Sequence, residues 1–232
     1  MGLVIKMNEK LKSFFLKAKS VLGYIREEYI RFPLYLLSHP LKGFEAFKRY
    51  KRGKMSVALV FMVILVLLNI LSFQYSGFEV NNNEIKDLNS IAEITYIVGV
   101  VVLITIANWS VTTLFDGKGK MKDIFLMVCY SLFPLIWSTA IGIILSNILT
   151  GEELGIYTLI LSVGGILTGY MVFMGMVSIH EYGLGKCILT VLFTFVAAAI
   201  ILFVFLLAFN LFQTMYGFLY TIYREITLRN LL

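Results

Sequence analysis

Apolar positions recur at helical spacing between Leu11 and Tyr29, and from Met55 onward they fuse into long unbroken stretches. The stretches near 55–73, 94–114, 124–149, 156–179 and 188–211 each carry about the 20 mostly apolar residues that an α-helix needs to cross a hydrocarbon core roughly 30 Å thick. The pattern predicts an all-α, polytopic integral membrane protein. It has five transmembrane helices over 55–212, a basic N-terminal segment over 1–54 and a short tail over 213–232.

The N-terminal segment is patterned differently. Leu11, Phe14, Phe15, Ala18, Val21, Leu22, Ile25 and Tyr29 fall on one helical face, flanked by Lys12, Lys19 and Arg26 on one side and by Lys10 and Lys17 on the other. Basic residues bordering an apolar face suit an amphipathic helix lying in the headgroup layer, its long side chains reaching back to water. Lys10, Lys12, Lys17, Lys19 and Arg26 are therefore candidate contacts to anionic lipid. A short coiled coil is the alternative, since the same apolar positions alternate by four and three, but its flanking positions would carry one sign of charge. Arg31-Phe32-Pro33 is expected to end this helix. Ser38-His39-Pro40 is expected to start another, with Pro40 in its first turn. Phe44, Phe47 and Tyr50, set among Lys42, Lys48, Arg49, Lys51, Arg52 and Lys54, read as an aromatic and basic collar before the first span.

Charge gives the orientation. Of the 20 Lys and Arg, 13 precede the first span, and the successive loops and tail carry 1, 3, 0, 1 and 2. Under the positive-inside rule the N-terminus and the 115–123 and 180–187 loops are cytoplasmic, 17 basic residues against 3 on the far side. The C-terminus then lies outside. A content of 59% hydrophobic and 15% charged residues, with a mean hydropathy of +0.86, excludes a soluble globule of this size. The basic pI near 9.2 points to anionic headgroups, since the charge is massed beside the membrane without a nucleic-acid-binding motif. No cleavable signal peptide is expected, because the first sufficiently long apolar run starts at Met55. Cys129 and Cys187 fall near the cytoplasmic ends of their helices and read as reduced packing residues.

Inside the bundle, small residues recur four apart: Ser138, Gly142 and Ser146 in the third span, Gly165 and Gly169 in the fourth, Thr190, Thr194 and Ala198 in the fifth. Such stripes let helix backbones approach closely. Packing within the chain is the first reading, and homo-oligomerisation through one stripe is the second. Pro134 predicts a kink in the third span. The tail, with Leu219, Ile222, Tyr223 and Ile226 at helical spacing, reads as an extension of the last helix or as a short interfacial piece.

Motifs for catalysis are sparse. His180-Glu181 lacks the second histidine of His-Glu-x-x-His, no intramembrane Gly-x-Ser-x-Gly occurs, and Gly117-Lys118-Gly119-Lys120 lacks the frame of a phosphate loop. The chain reads as a non-enzyme without cofactor or metal. A polar cluster is expected in the cytoplasmic half of the membrane, where Asn108 and Ser110 of the second span reach the depth of Tyr130 and Ser131 of the third. It is either an interhelical hydrogen-bond network or a transport site.

Trp109, the run from Asp116 through Lys118, Lys120 and Lys122 to Asp123, and the step from Tyr130 to Pro134 resemble the central pattern of the Ypt-interacting-protein (Yip) family. Met176 to Lys186, with His180, is similar to that family's fourth-to-fifth turn. Ser38 to Phe44 and Lys51 to Lys54 resemble what bacterial members place before the first span. The resemblance covers about 36–212. It implies five spans with a cytoplasmic N-terminus and no catalysis. The eukaryotic signature around Asp-Leu-Tyr-Gly-Pro is missing, so binding of Rab-type GTPases is not carried over. The expectation is a membrane scaffold or accessory subunit of the bacterial cytoplasmic membrane. It would dock a protein partner, such as a membrane complex, through Asp116, Lys118, Lys120, Lys122, Asp123, His180, Glu181 and Lys186. The alternative is a small transporter or channel component with a polar site near Asn108 and Tyr130.

Overall fold

A computed structural model describes residues 19–81 and 88–229. Lys10, Lys12 and Lys17 lie outside the described residues. Within them every regular element is helical, and five helices are long and apolar enough to cross a membrane: Met55–Tyr75, Ser90–Leu114, Met121–Ser146, Gly151–His180 and Leu184–Thr227.

Local chemistry decides where the spans begin and end. The second starts a turn earlier than its apolar run because Asn89 accepts hydrogen bonds from the N–H groups of Ile91 and Ala92, both at 3.1 Å. The third divides at Leu132 into Met121–Ser131 and Phe133–Ser146, with Pro134 in the first turn of the second half. Proline has no N–H to continue the ladder, so the expected kink takes the form of a break. The last helix runs without interruption from Leu184 to Arg229, 46 residues, which is about 69 Å at 1.5 Å per residue. Of the two readings of the tail, the helical extension is the one observed.

Pro33 does not end the N-terminal helix. Helical backbone from Lys19 widens into a π-helical stretch at Arg26–Arg31 and continues as α1, Phe32–Ser38. A proline ring clashes with the carbonyl four residues back in a regular α-helix. The wider π turn opens that position, so the chain absorbs Pro33 instead of stopping at it. The second boundary falls as expected, with His39 as N-cap and Pro40 opening α2, Pro40–Arg49.

The third span is the centre of the bundle, 67% buried over its most apolar window, against 28% or less for every other span. Its second half packs on the first and fourth spans, while the second span packs along the fifth. Ser138 abuts Gly164, Gly142 faces Leu161 and Tyr157, and the Ser146 hydroxyl accepts the Gly77 N–H at 2.9 Å. The third-span stripe is thus used within the chain. Thr190 and Thr194 are buried as well. Gly165 and Gly169 are not used in this way: a Cβ at either would meet nothing within 4 Å. The close approaches of the fourth span are made by Gly164 and Gly175, the latter against Met127 and Phe44.

Phe44 and Phe47 also depart from the expected collar. With Phe32 and Leu36 they are buried in the core, and only Tyr50 is exposed. Phe32, Phe47 and Phe61 stand edge-on to Tyr130, centroids 6.0, 5.0 and 5.6 Å away. Each such pair contributes roughly 0.5–1.5 kcal/mol beyond its area. These contacts fix α1 and α2 on one end of the bundle.

Candidate functional site

The two turns singled out from sequence meet at this basic end. The fourth span finishes at His180, and Glu181 adopts a left-handed conformation, φ 56°. That reversal sends Tyr182 back toward the second span, where its hydroxyl donates to the carbonyl of Phe115 at 3.1 Å. Lys186 lies over the Tyr182 ring, 4.8 Å from its centroid. On the facing loop Asp116 is also left-handed, φ 54°, and the Gly117 N–H donates to Thr112 O at 2.8 Å.

Gly117 and Gly119 are glycines because of what they touch. A Cβ on Gly117 would stand 2.6 Å from the Tyr182 hydroxyl and 2.7 Å from His180 Nδ1; one on Gly119 would stand 2.6 Å from His180 Cε1. The loop can lie against His180 only without side chains there.

His180 itself is 1% exposed, which takes it off the expected docking face. A helix end packed under a loop leaves no room for a partner. Its ring joins a chain of hydrogen bonds whose direction the geometry fixes. The Gly119 N–H donates to Nδ1 at 3.4 Å, which leaves Nε2–H to donate to Asn108 Oδ1 at 3.2 Å. The Asn108 amide then donates to Thr194 Oγ1 at 3.2 Å and toward Met176 Sδ at 3.3 Å, and the Thr194 hydroxyl donates to Thr190 O at 2.7 Å. One network thereby ties the second, fourth and fifth spans to the loop.

Glu181 makes the electrostatic counterpart. Lys118 approaches Oε2 at 2.6 Å and Lys48 of α2 approaches Oε1 at 3.1 Å, while Lys48 also donates to the carbonyl of Ile179 at 2.8 Å. Hydrogen bonds from Lys118 and then Lys48 hold the Glu181 carboxyl down at about 2. Lys48 thus occupies a free carbonyl at a helix C-terminus, where the dipole favours a cation. Nearby, Glu28 lies 2.7 Å from Lys54 and raises its pKa.

Of the other expected docking residues, Asp116, Lys120, Lys122 and Lys186 are exposed; Asp123 is half-buried and accepts the Lys120 N–H at 3.4 Å. The expected polar cluster is not assembled. Asn108 belongs to the His180 network, whereas Tyr130 accepts the Lys54 N–H at 3.1 Å inside its aromatic nest. Ser110 and Ser131 bond the carbonyls of Ile106 and Met127 in their own helices. Of the lipid candidates, Lys19 and Arg26 are described and exposed. Cys129 and Cys187 are buried free thiols. Among the described residues no group of three His, Cys, Asp or Glu could hold a metal.

Sequence reasoning passed over Lys48 and the pairing of Asn108 with His180. A usable signal was present for the pair: Asn108 and His180 are polar residues within two turns of helix ends that lead into the facing loops.

The model of the Yip1 domain matches residues 34–222. The chain belongs to the Yip1 domain family. No curated protein and no solved structure gives a significant match. The matched residues take in most of α1, all of α2, the first four spans and the fifth as far as residue 222, so the glycine-lysine loop, His180 and Glu181 lie within the Yip1 domain itself.

Proposed function

We propose that this Yip1 family protein is a non-catalytic scaffold or accessory subunit of a bacterial cytoplasmic membrane, N-terminus inside, that docks a protein partner on its basic end. The supporting observation is the junction at Glu181, where α2, the 115–120 loop and the turn after the fourth span are pinned to one another by Lys48 and Lys118. Three separate segments thereby make one face of fixed shape. Lys120, Lys122 and Lys186 are exposed and make no ion pair among the described residues, and they are the cations available to an acidic partner surface.

A photo-crosslinking residue at Lys122, activated in intact membranes, should capture one protein at a stoichiometric level. Charge reversal at Lys120, Lys122 and Lys186 should abolish that capture with the fold intact, while Lys118 is left native because it holds Glu181. Solute uptake by the pure protein in liposomes, with no captured partner, would overturn the scaffold reading in favour of transport.

A further inference from the structure

Between the N-terminal helix and the first and third spans lies an apolar groove of about 750 Å³. Tyr24 and Ile25 form one wall, Phe61, Ile64 and Leu68 a second, and Trp137 closes the third. The polar atoms its lining residues carry are the Tyr24 and Tyr29 hydroxyls and the Trp137 indole N–H, too few to organise a water-soluble ligand, and two of its walls are helices that cross a membrane.

Its length is informative. The first-span lining starts at Val60 and ends at Leu68, about 12 Å along the helix. The third-span lining runs from Phe133 to Ala140, about 10 Å. One leaflet of hydrocarbon is about 15 Å deep, so the groove runs along the spans over a length on the scale of an acyl chain.

The mouth is positively charged. Lys54 sits 4.5 Å from the ring centroid of Tyr24, and the Arg52 guanidinium lies 5.2 Å from that of Phe32. Lys54 is matched by Glu28, whereas Arg26, next in sequence to the lining Ile25, and Lys51 and Arg52, just ahead of Lys54, are exposed and make no ion pair among the described residues. Exposed cations close in sequence or space to an apolar groove of acyl-chain length complement a phosphate joined to an acyl chain.

We infer that this groove is a binding site for an anionic phospholipid, with one acyl chain along Phe61, Ile64 and Trp137 and the headgroup phosphate among Arg26, Arg52 and Lys51. The site needs only a bilayer around the spans. It stands or falls independently of partner docking.

The chain supplies its own reporter, since Trp137 lines the groove and Trp109, the other tryptophan, does not. Two single-tryptophan proteins, Trp109→Phe and Trp137→Phe, would be placed in nanodiscs with acyl-brominated phosphatidylglycerol or phosphatidylcholine, and fluorescence quenching measured against mole fraction. Comparing the two headgroups at each tryptophan cancels the difference in depth. Trp137 should be half-quenched at about fivefold lower phosphatidylglycerol than phosphatidylcholine, the factor expected of one added charge contact, while Trp109 shows no preference. Arg26→Gln with Arg52→Gln should erase that preference, and Ala140→Phe, which fills the groove, should weaken quenching of Trp137 by either lipid. If Ala140→Phe fails to fold, the two arginine substitutions, both on exposed residues, still decide the matter. Equal headgroup dependence at both tryptophans would mean ordinary annular lipid, and a Trp137 that neither lipid quenches would mean a groove filled by protein. Either result overturns the site.

Discussion

Replacing Asn108 by Leu tests whether the buried network holds the second span to the fourth. The carboxamide is fully buried, accepts from His180 at 3.2 Å and donates to Thr194 at 3.2 Å. Thr194 loses little in the variant, since its hydroxyl still donates to Thr190 O at 2.7 Å. His180 loses its acceptor, which leaves Nε2–H in a packed setting. An orphaned buried donor costs about 1–3 kcal/mol, while hydrogen bonds between membrane helices average about 0.6 kcal/mol because the unfolded chain in lipid also finds partners. The expected loss is about 1–2 kcal/mol, or a fall in Tm of roughly 2–8 °C for a chain of this size. His180→Phe removes the donor as well and keeps a ring to stack on Tyr182, whose centroid is 5.3 Å away. The double variant should therefore cost less than the two single losses combined, by about 1 kcal/mol. Cys129 and Cys187 are buried thiols, so a maleimide dye that fluoresces on reaction reports the opening of the bundle without added cysteines. Strictly additive losses, or a single-variant loss below about 0.5 kcal/mol, would refute the network as a tie between spans.

Three further outcomes are expected. Gly164→Ala forces a Cβ onto Ser138 and should destabilise by about 1–3 kcal/mol, whereas Gly165→Ala enters open space and should be neutral or stabilising by up to about 1 kcal/mol; dye-monitored melting that ranks the two the other way would reject this packing of the fourth span. The Glu181 carboxyl, held at about 2 against an ordinary 4.5, contributes to the junction fully above pH 4.5 and loses that contribution as pH falls through about 2, so spin labels on α2 and the 115–120 loop should separate over that window, and Glu181→Gln should show the separated distance at every pH. Single cysteines at Lys120 and Lys186, in a chain lacking Cys129 and Cys187, should be shielded from an impermeant reagent added outside intact cells while one at Glu152 is labelled, and the reverse pattern would invert the proposed orientation.

The spans were legible in the sequence because hydrocarbon thickness demands long apolar runs, and no soluble element needs five of them. Their packing faces were not. A helix apolar on all sides carries no stripe to mark which side meets its neighbours. The fourth span shows the consequence: Gly165 and Gly169 look like a packing pair, yet the residue one place earlier, Gly164, makes the contact with Ser138. The same lack of azimuth misled the reading of Asn108. Depth along the helix put it level with Tyr130, but the direction around the helix turned it to His180 and Thr194. Pro33 is a different case, in which a sound local rule was met by a π-helical turn that the residues around it do not announce.

The glycine-lysine loop lacks the frame of a phosphate loop, but its alternation carries a structural meaning. Gly117 and Gly119 face inward against His180 and Tyr182, while Lys118 and Lys120 are exposed. Alternate positions of an extended stretch point to opposite sides, so the order Gly-Lys-Gly-Lys assigns one side to the protein and the other to its surroundings. Changes at the glycines should move the loop and disturb the His180 network beneath it. Changes at Lys120 leave the loop in place and alter only the charge presented outward. Lys118 belongs to both sides, because its ammonium reaches across to Glu181 at 2.6 Å. That makes it the residue through which a partner gripping the outer face would pull on the junction.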